Sequence, residues 1–372
     1  MTDRDPDAIR RACRHALSYR HPQSARQQLN DLADYVDADA EPDSGGAGAL
    51  IEDLEARVAT LLGKPAAVFM PSGKTAQLIA LRLWCARADA PTIAVHTRSH
   101  IEEDEARSYQ FLHGLKSMPL GHPNRPPVAA DIDALVGPVG AAVVELPIRN
   151  LGWRLPSWDD LAAISEKLRA RGVAFHADAA RIWEIQPCYD RPHAEIAALF
   201  DSLYVSFYKG LDGPVGAAIA GEADFIAEAR LWQQRAGARL STLFPYVIAA
   251  QRGLDQKLPL MPAYFAKARA VADALRPLPG VRVTPDPPQC NSFQVVLEGD
   301  ERQLNDARLD VAEATGIWPY RRAVPSPIEG LAVFEVVILD AALELSEADI
   351  AGCVQQLAER LAARSAGLTG AA

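Results

Sequence analysis

Cysteine is scarce in this chain and never paired. Its five thiols, at positions 13, 85, 188, 290 and 353, form no Cys-x-x-Cys motif. That spacing argues against a disulfide framework and a structural zinc site, and a reducing cytoplasm is the expected compartment. Long apolar runs are missing as well. No stretch approaches the ~18 residues that a membrane-spanning helix needs. The charged N-terminus MTDRDPDAIRRACRHALSYRHP contains no signal-peptide core. Positive charge is in deficit, with 38 Lys and Arg against 48 Asp and Glu and a net charge of −10. Nucleic acid and anionic membrane surfaces are therefore not expected partners. The motifs GxGxxG, GxxxxGK[ST], HExxH and GxSxG are absent. This removes the usual signatures of a nicotinamide dehydrogenase, a P-loop nucleotidase, a zinc protease and a serine hydrolase. The eight histidines form no metal-binding pattern, so no metal site is expected. Lysine is the last scarcity. It occurs only as Lys64, Lys74, Lys116, Lys167, Lys209, Lys257 and Lys267, so a lysine in a small, apolar setting stands out.

What the chain does hold is apolar bulk, 49% of its residues, enough to bury a sizeable core. Leu50, Leu54, Val58, Leu61 and Leu62 recur at helical spacing before a stop at Gly63. Apolar strands are expected at AAVFM (66–70), TIAVH (92–96), AAVVELP (141–147), VAFHADAA (173–180), SLYVSFYKG (202–210) and PVGAAIAG (214–221). Helices lie between them, one of them capped by Ser157. Two-sided apolar strands alternating with helices predict an α/β fold with a mostly parallel sheet. From residue 257 the texture changes to prolines, then strands at VRVTPD, SFQVVLEG and LAVFEVVILD among helices, which predicts a smaller α+β domain. The expected division is a helical N-terminal segment over 1–48, a large α/β domain over 49–255 and a small C-terminal α+β domain over 256–372. The tail AGLTGAA is read as disordered.

Four places carry chemistry. Lys209 ends an aromatic, β-branched strand and is followed by Gly210, with no charged residue before Asp212. It is either a structural lysine or a nucleophilic amine whose partly desolvated setting lowers its pKa, as a Schiff-base lysine requires. Asp178 ends the strand VAFHAD, with His176 on the same face by alternation and Arg181 just beyond. It is either a helix cap or the carboxylate that keeps the pyridine nitrogen of pyridoxal 5'-phosphate (PLP) protonated. The turn PSGKTAQ (71–77) opens a helix after a strand. Its free N–H groups make an anion site to which Lys74 adds charge, although Ser72 also suits an ordinary N-cap. His100, in HTRSHIEEDEA, follows the strand TIAVH and reads either as structural or as an imidazole stacked on a cofactor ring. The acidic run Glu102, Glu103, Asp104, Glu105 reads mostly as a solvated helix start, with one member a candidate to face the site.

Taken in order, these pieces resemble the threonine aldolase and β-eliminating lyase family of fold-type I PLP enzymes. HADAARIWE (176–184) resembles the family's H-x-D-G-A-R-I, and SFYKGLDGPVG (206–216) resembles its S-K-G-L-x-x-P-V-G. ELPIRNLGWRLP (145–156) is similar, in altered form, to its E-N-x-x-x-x-G-G-x-x-x-P. The resemblance spans residues 50–255 and implies a seven-stranded, mostly parallel sheet around PLP. It implies that Lys209 carries the cofactor, that Asp178 pairs with the pyridine nitrogen, and that Arg181 lies by the ring oxygen or the substrate carboxylate. It places Ser72, Gly73 and Lys74 at the phosphate and His176 in the cofactor-binding set. It gives His100 the roles of ring stacking and of base toward a substrate β-hydroxyl. Arg239 would reach a neighbouring subunit's phosphate, in a homodimer or homotetramer.

The chain also departs from the pattern. Ala16, in HALSYRHP, stands where the family has a carboxylate-binding serine; Tyr208 replaces the serine before the lysine; Lys74 replaces a threonine. Phe334 and Glu335 stand where the family places an arginine, leaving Arg321 and Arg322 as compensating candidates. The resemblance implies a PLP lyase that cleaves the Cα–Cβ bond of a β-hydroxy-α-amino acid to glycine and an aldehyde. Because Glu335 would suit a cationic side chain, β-elimination, transaldol transfer and transamination are the alternatives. A non-catalytic descendant of the fold and a metal-dependent hydrolase are the competing classes.

Overall fold

Strands of four or five residues dominate the larger half of the computed structural model, which describes residues 4–369, with side chains as far as residue 362. The chain divides into two compact units, one formed by residues 28–259 and one by the N-terminal stretch to Gln27 together with residues from Leu260 onward. In the first unit seven strands form one sheet: β1 (Ala66–Met70), β2 (Thr92–Val95), β3 (Lys116–Pro119), β4 (Ala141–Glu145), β5 (Ala174–Asp178), β6 (Ser202–Ser206) and β7 (Ala217–Gly221). Their order is β1-β7-β6-β5-β4-β2-β3. All run parallel except β7, which is antiparallel to both of its neighbours. The expected mostly parallel α/β sheet is what forms. Every residue of β4, β6 and β7 is buried, as in a sheet covered on both faces. Strand β3, KSMP, is an edge strand with three of its four residues exposed, and no apolar pattern announces it.

Register does the positioning. Parallel pairing sets Glu145 of β4 beside Asp178 of β5, and Asp178 beside Tyr204 of β6. Residues level with one another on adjacent strands project to the same face, so three polar side chains stand in a row at one sheet end. Helix Gly73–Arg87 begins three residues after β1, and a short helix begins at His100 shortly after β2.

The link from β6 to β7 carries Lys209. Phe207 donates its N–H to the Gly216 carbonyl (3.0 Å) and accepts from Gly213 N–H (2.7 Å), so the loop is closed at its base. Helix Phe244–Gln256 presses on the same loop. A Cβ added to Gly253 would lie 2.2 Å from the Leu211 carbonyl oxygen, so only glycine permits the approach.

The second unit is α+β. Its antiparallel sheet runs Ala323–Pro325, Leu331–Val337, Ser292–Glu298, Arg282–Thr284. His15–Ala16 pairs in parallel with Ile317–Trp318, which ties the N-terminal stretch into this unit. The last helix, Glu347–Thr369, takes in the first four residues of the tail read as disordered, and residues 370–372 of that tail lie outside the described residues. All five cysteines are free thiols. Among the described residues no helix is long and apolar enough to cross a membrane.

Candidate active site

At the carboxyl ends of β4, β5 and β6 lies a cavity of about 120 Å³, whose lining includes Lys74, His100, Glu145, Asp178, Arg181 and Lys209. Five of these side chains were expected there from the sequence; Glu145 was not. The same wall takes in Glu105, Arg149, Trp153, Tyr204 and Tyr208.

Lys209 is held in a setting that disfavours its charge. Burial, and next the Arg181 guanidinium, bring its pKa down to about 8, although Asp178, Glu145 and Glu184 pull the other way. Asp178 is 7% exposed, and its Oδ1 accepts the Ala180 N–H at 3.2 Å. Burial pushes its pKa up, Lys209 pulls it down, and Glu105 adds a further push upward. Glu145 is buried beside it, and desolvation followed by the Asp178 charge raises its pKa to about 7. Its carboxylate also organises backbone: Oε2 accepts the His100 N–H (2.7 Å) and Oε1 the Arg149 N–H (3.1 Å).

His100 is oriented by an acid. Its Nδ1 lies 3.0 Å from Glu105 Oε1, and this hydrogen bond raises the imidazole pKa above its ordinary value against the opposing effect of burial. Glu105, from the acidic run read as a solvated helix start, is 6% exposed, and its Oε2 is buried with no protein partner. Arg181 sits 4.5 Å over the ring of Trp153 and 3.4 Å from Glu184, which also accepts the Gly210 N–H (2.8 Å) next to Lys209. Trp153 is buried at φ 65°, just after Gly152 in the left-handed region, and this turn delivers the indole to the cavity wall.

Other expected residues sit elsewhere. His176 is fully buried between Gln77 Oε1 (2.7 Å) and Ser202 Oγ (2.7 Å), and Ser202 Oγ also receives the Trp84 indole N–H (2.7 Å). Burial lowers the His176 pKa to about 3, so it is a neutral link in a buried chain of hydrogen bonds and not part of the cavity lining. Ser72 stands at the N-cap of helix Gly73–Arg87, but its side chain caps no N–H. The first amides of that helix are thus left for another acceptor. Arg239 is an exposed residue outside the lining, donating from Nε to the Gly45 carbonyl. Glu335 and Arg321 belong to the second unit, where Glu335 accepts from the Tyr19 hydroxyl (3.3 Å) and Arg321 lies 5.9 Å from the Tyr19 ring.

The donor set suits PLP. Three carboxylates, Glu105, Glu145 and Asp178, are buried around one small cavity, and a further cation placed against them would be stabilised there. A protonated pyridine nitrogen against Asp178 is such a cation. Lys209, whose burial eases loss of its proton, would be the amine for the aldehyde, and the open start of helix Gly73–Arg87 with Lys74 would be the anion end.

Comparison with known proteins agrees. A family model described as beta-eliminating lyase matches residues 32–298. The low-specificity L-threonine aldolase 1 of Arabidopsis thaliana is 25% identical over 281 residues, covering 71% of this chain and 76% of that protein. A Listeria monocytogenes structure, solved as a proposed L-allo-threonine aldolase, is 34% identical with a TM-score of 0.91, covering 95% of this chain and 98% of that one. An Exiguobacterium structure, of a proposed aromatic amino acid beta-eliminating lyase or threonine aldolase, is 33% identical with a TM-score of 0.91 over 95% of this chain and 99% of that one. With family match, sheet topology and cavity chemistry in agreement, the chain belongs to the β-eliminating lyase and threonine aldolase family of fold-type I PLP enzymes.

Proposed function

We propose that this protein is an aldehyde-lyase that cleaves the Cα–Cβ bond of a β-hydroxy-α-amino acid, releasing glycine and an aldehyde. The observation that carries the reading is the His100–Glu105 pair in one cavity with Lys209 and Asp178. PLP, when bound, supplies an electron sink for the charge that C–C cleavage leaves at Cα. Asp178 would serve that sink by holding a proton on the pyridine nitrogen, and its buried position would strengthen the pairing. Lys209 would hold the cofactor's aldehyde, since its buried amine gives up a proton near pH 8 and is then a nucleophile. His100 takes the proton from the substrate β-hydroxyl while Glu105 fixes the ring's orientation and stabilises the imidazolium. Glu145 holds the backbone of His100 and Arg149 in place, and Trp153 keeps that side of the cavity dry.

Cytoplasmic residence and a homodimeric or homotetrameric state are part of the same proposal. Five free thiols, four of them buried, support a reducing compartment. Sedimentation of the purified protein tests the oligomer. The activity is tested by incubating the PLP-loaded protein with L-threonine, L-allo-threonine and phenylserine, and measuring aldehyde and glycine. Equimolar release from any of them supports the reading, and none from all three overturns it.

A further inference from the structure

The residue before Lys209 is a tyrosine, and it does not act alone. Tyr204, at the level of Asp178 on β6, and Tyr208 bring their hydroxyls to within 2.9 Å of each other. Both hydroxyls meet the start of helix Gly73–Arg87. A Cβ added to Gly73 would stand 2.1 Å from the Tyr204 oxygen and 2.8 Å from the Tyr208 oxygen. The first helical residue is therefore glycine because two phenol oxygens occupy the space beside it. Tyr204 is 4% exposed and its ring is packed in the core, so its hydroxyl is held in position. Ser72 makes no cap bond, and Lys74, at the same helix start, lines the cavity with both tyrosines.

Two hydroxyls have two protons. The bond between them uses one, and the other is left to donate outward. Burial raises both phenol pKa values, so both stay protonated at neutral pH. A phenol proton, free helix amides and a lysine converging on one end of a cavity form an oxyanion-binding set.

We propose that the Tyr204–Tyr208 hydroxyl pair is a phosphate-binding element that, with the first amides of helix Gly73–Arg87, holds the phosphate ester of PLP. The inference rests on the family's cofactor and not on which amino acid is cleaved. Tyr208 thereby takes over, with a longer reach and a partner, the place of the serine before the lysine in the family pattern. It also fixes the cofactor's register, because the phosphate anchor and the amine that holds the aldehyde are adjacent residues on one closed loop.

The test is binding and not turnover. Apoenzyme, Tyr208→Phe and Tyr204→Phe are titrated with PLP and, separately, with pyridoxal, which lacks the phosphate, following visible absorbance. Losing a charge-assisted hydrogen bond weakens PLP binding by roughly tenfold or more, and pyridoxal binding is expected to stay within about twofold of wild type. Equal losses for both compounds, or none for either, overturn the proposal, because a packing role does not distinguish them. Tyr208→Phe carries the test alone if Tyr204→Phe fails to fold, since Tyr208 is only partly buried. Wild-type protein that binds neither compound removes the cofactor assignment itself, an outcome distinct from failure of the substrate assays.

Discussion

Gly253→Ala is predicted to destabilise this protein, although general helix rules say the reverse. Gly253 lies within helix Phe244–Gln256, where replacing glycine by alanine ordinarily stabilises by up to ~1 kcal/mol. Here the new methyl would stand 2.2 Å from the Leu211 carbonyl oxygen, 2.9 Å from Leu211 Cβ and 3.1 Å from the Leu211 carbonyl carbon. Two of those atoms are backbone, in a loop already closed by the Phe207–Gly213 and Phe207–Gly216 bonds, so the neighbour has little room to yield. Overpacking costs about 1–3 kcal/mol, and the rigid obstacle sets the upper part of that range. Subtracting the propensity gain leaves a net loss of roughly 1–2 kcal/mol, a fall in Tm of about 2–8 °C for a unit of this size. Gly352, in helix Glu347–Thr369, has nothing within 4 Å of an added Cβ and is the internal control. Gly352→Ala is expected to raise Tm slightly. Thermal unfolding followed by circular dichroism reads both, and the PLP absorbance of Gly253→Ala reports whether displacement of Leu211 reaches Lys209. A Gly253→Ala protein that melts at or above wild type refutes the argument, because it would mean that the loop backbone gives way freely.

Three more outcomes follow from the site. Cofactor capture by apoenzyme requires neutral Lys209, so its rate should rise about tenfold between pH 7 and 9 and level off above a midpoint near pH 8, where an ordinary lysine would keep gaining past pH 10. Arg181→Met removes a cation that lowers the lysine pKa and should move that midpoint upward; stopped-flow absorbance across pH checks both. Glu105→Gln replaces the charged acceptor that raises the His100 pKa with a neutral one, so the acid limb of the kcat/KM profile, where the base must be deprotonated, should shift to lower pH as the plateau falls; an unmoved limb would separate His100 from that ionisation. Ser202→Ala strands the Trp84 indole N–H and one His176 nitrogen inside the core, at about 1–3 kcal/mol each, and should lower Tm while leaving the bound-PLP spectrum unchanged.

Much of the sheet was legible because buried strands betray themselves by continuous apolar runs, as AAVFM and AAVVE do. Strand β3 was not, since an edge strand written KSMP carries no such run. The reversed direction of β7 was equally hidden, because PVGAAIAG reads the same whichever way it pairs. At the site, the settings of Lys209, Asp178, His100 and Lys74 allowed a structural or a functional reading, the family resemblance chose between them and added Arg181, and all five line one cavity. Glu145 had a signal that went unread: like Asp178, it is a lone acid ending a buried strand, and β4–β5 pairing places the two side by side. Tyr204 and Trp153 gave no signal, since an aromatic in a strand or after a glycine reads as core. His176 shows the limit of alternation, which fixes a face and not a depth: two residues before Asp178, it lies beneath the cavity in the Trp84–Ser202–His176–Gln77 chain.

The antiparallel β7 has one last consequence. A parallel successor to β6 would need a long crossover, and Lys209 would then sit on a span with distant ends. Because β7 turns straight back, the lysine rides on a short link whose two feet stand on adjacent strands and are tied together at Phe207. Such a link is a clamp stand and not a hinge. The amine travels only as far as its own four-carbon arm allows, so any opening and closing that accompanies turnover has to be carried by elements outside residues 207–216.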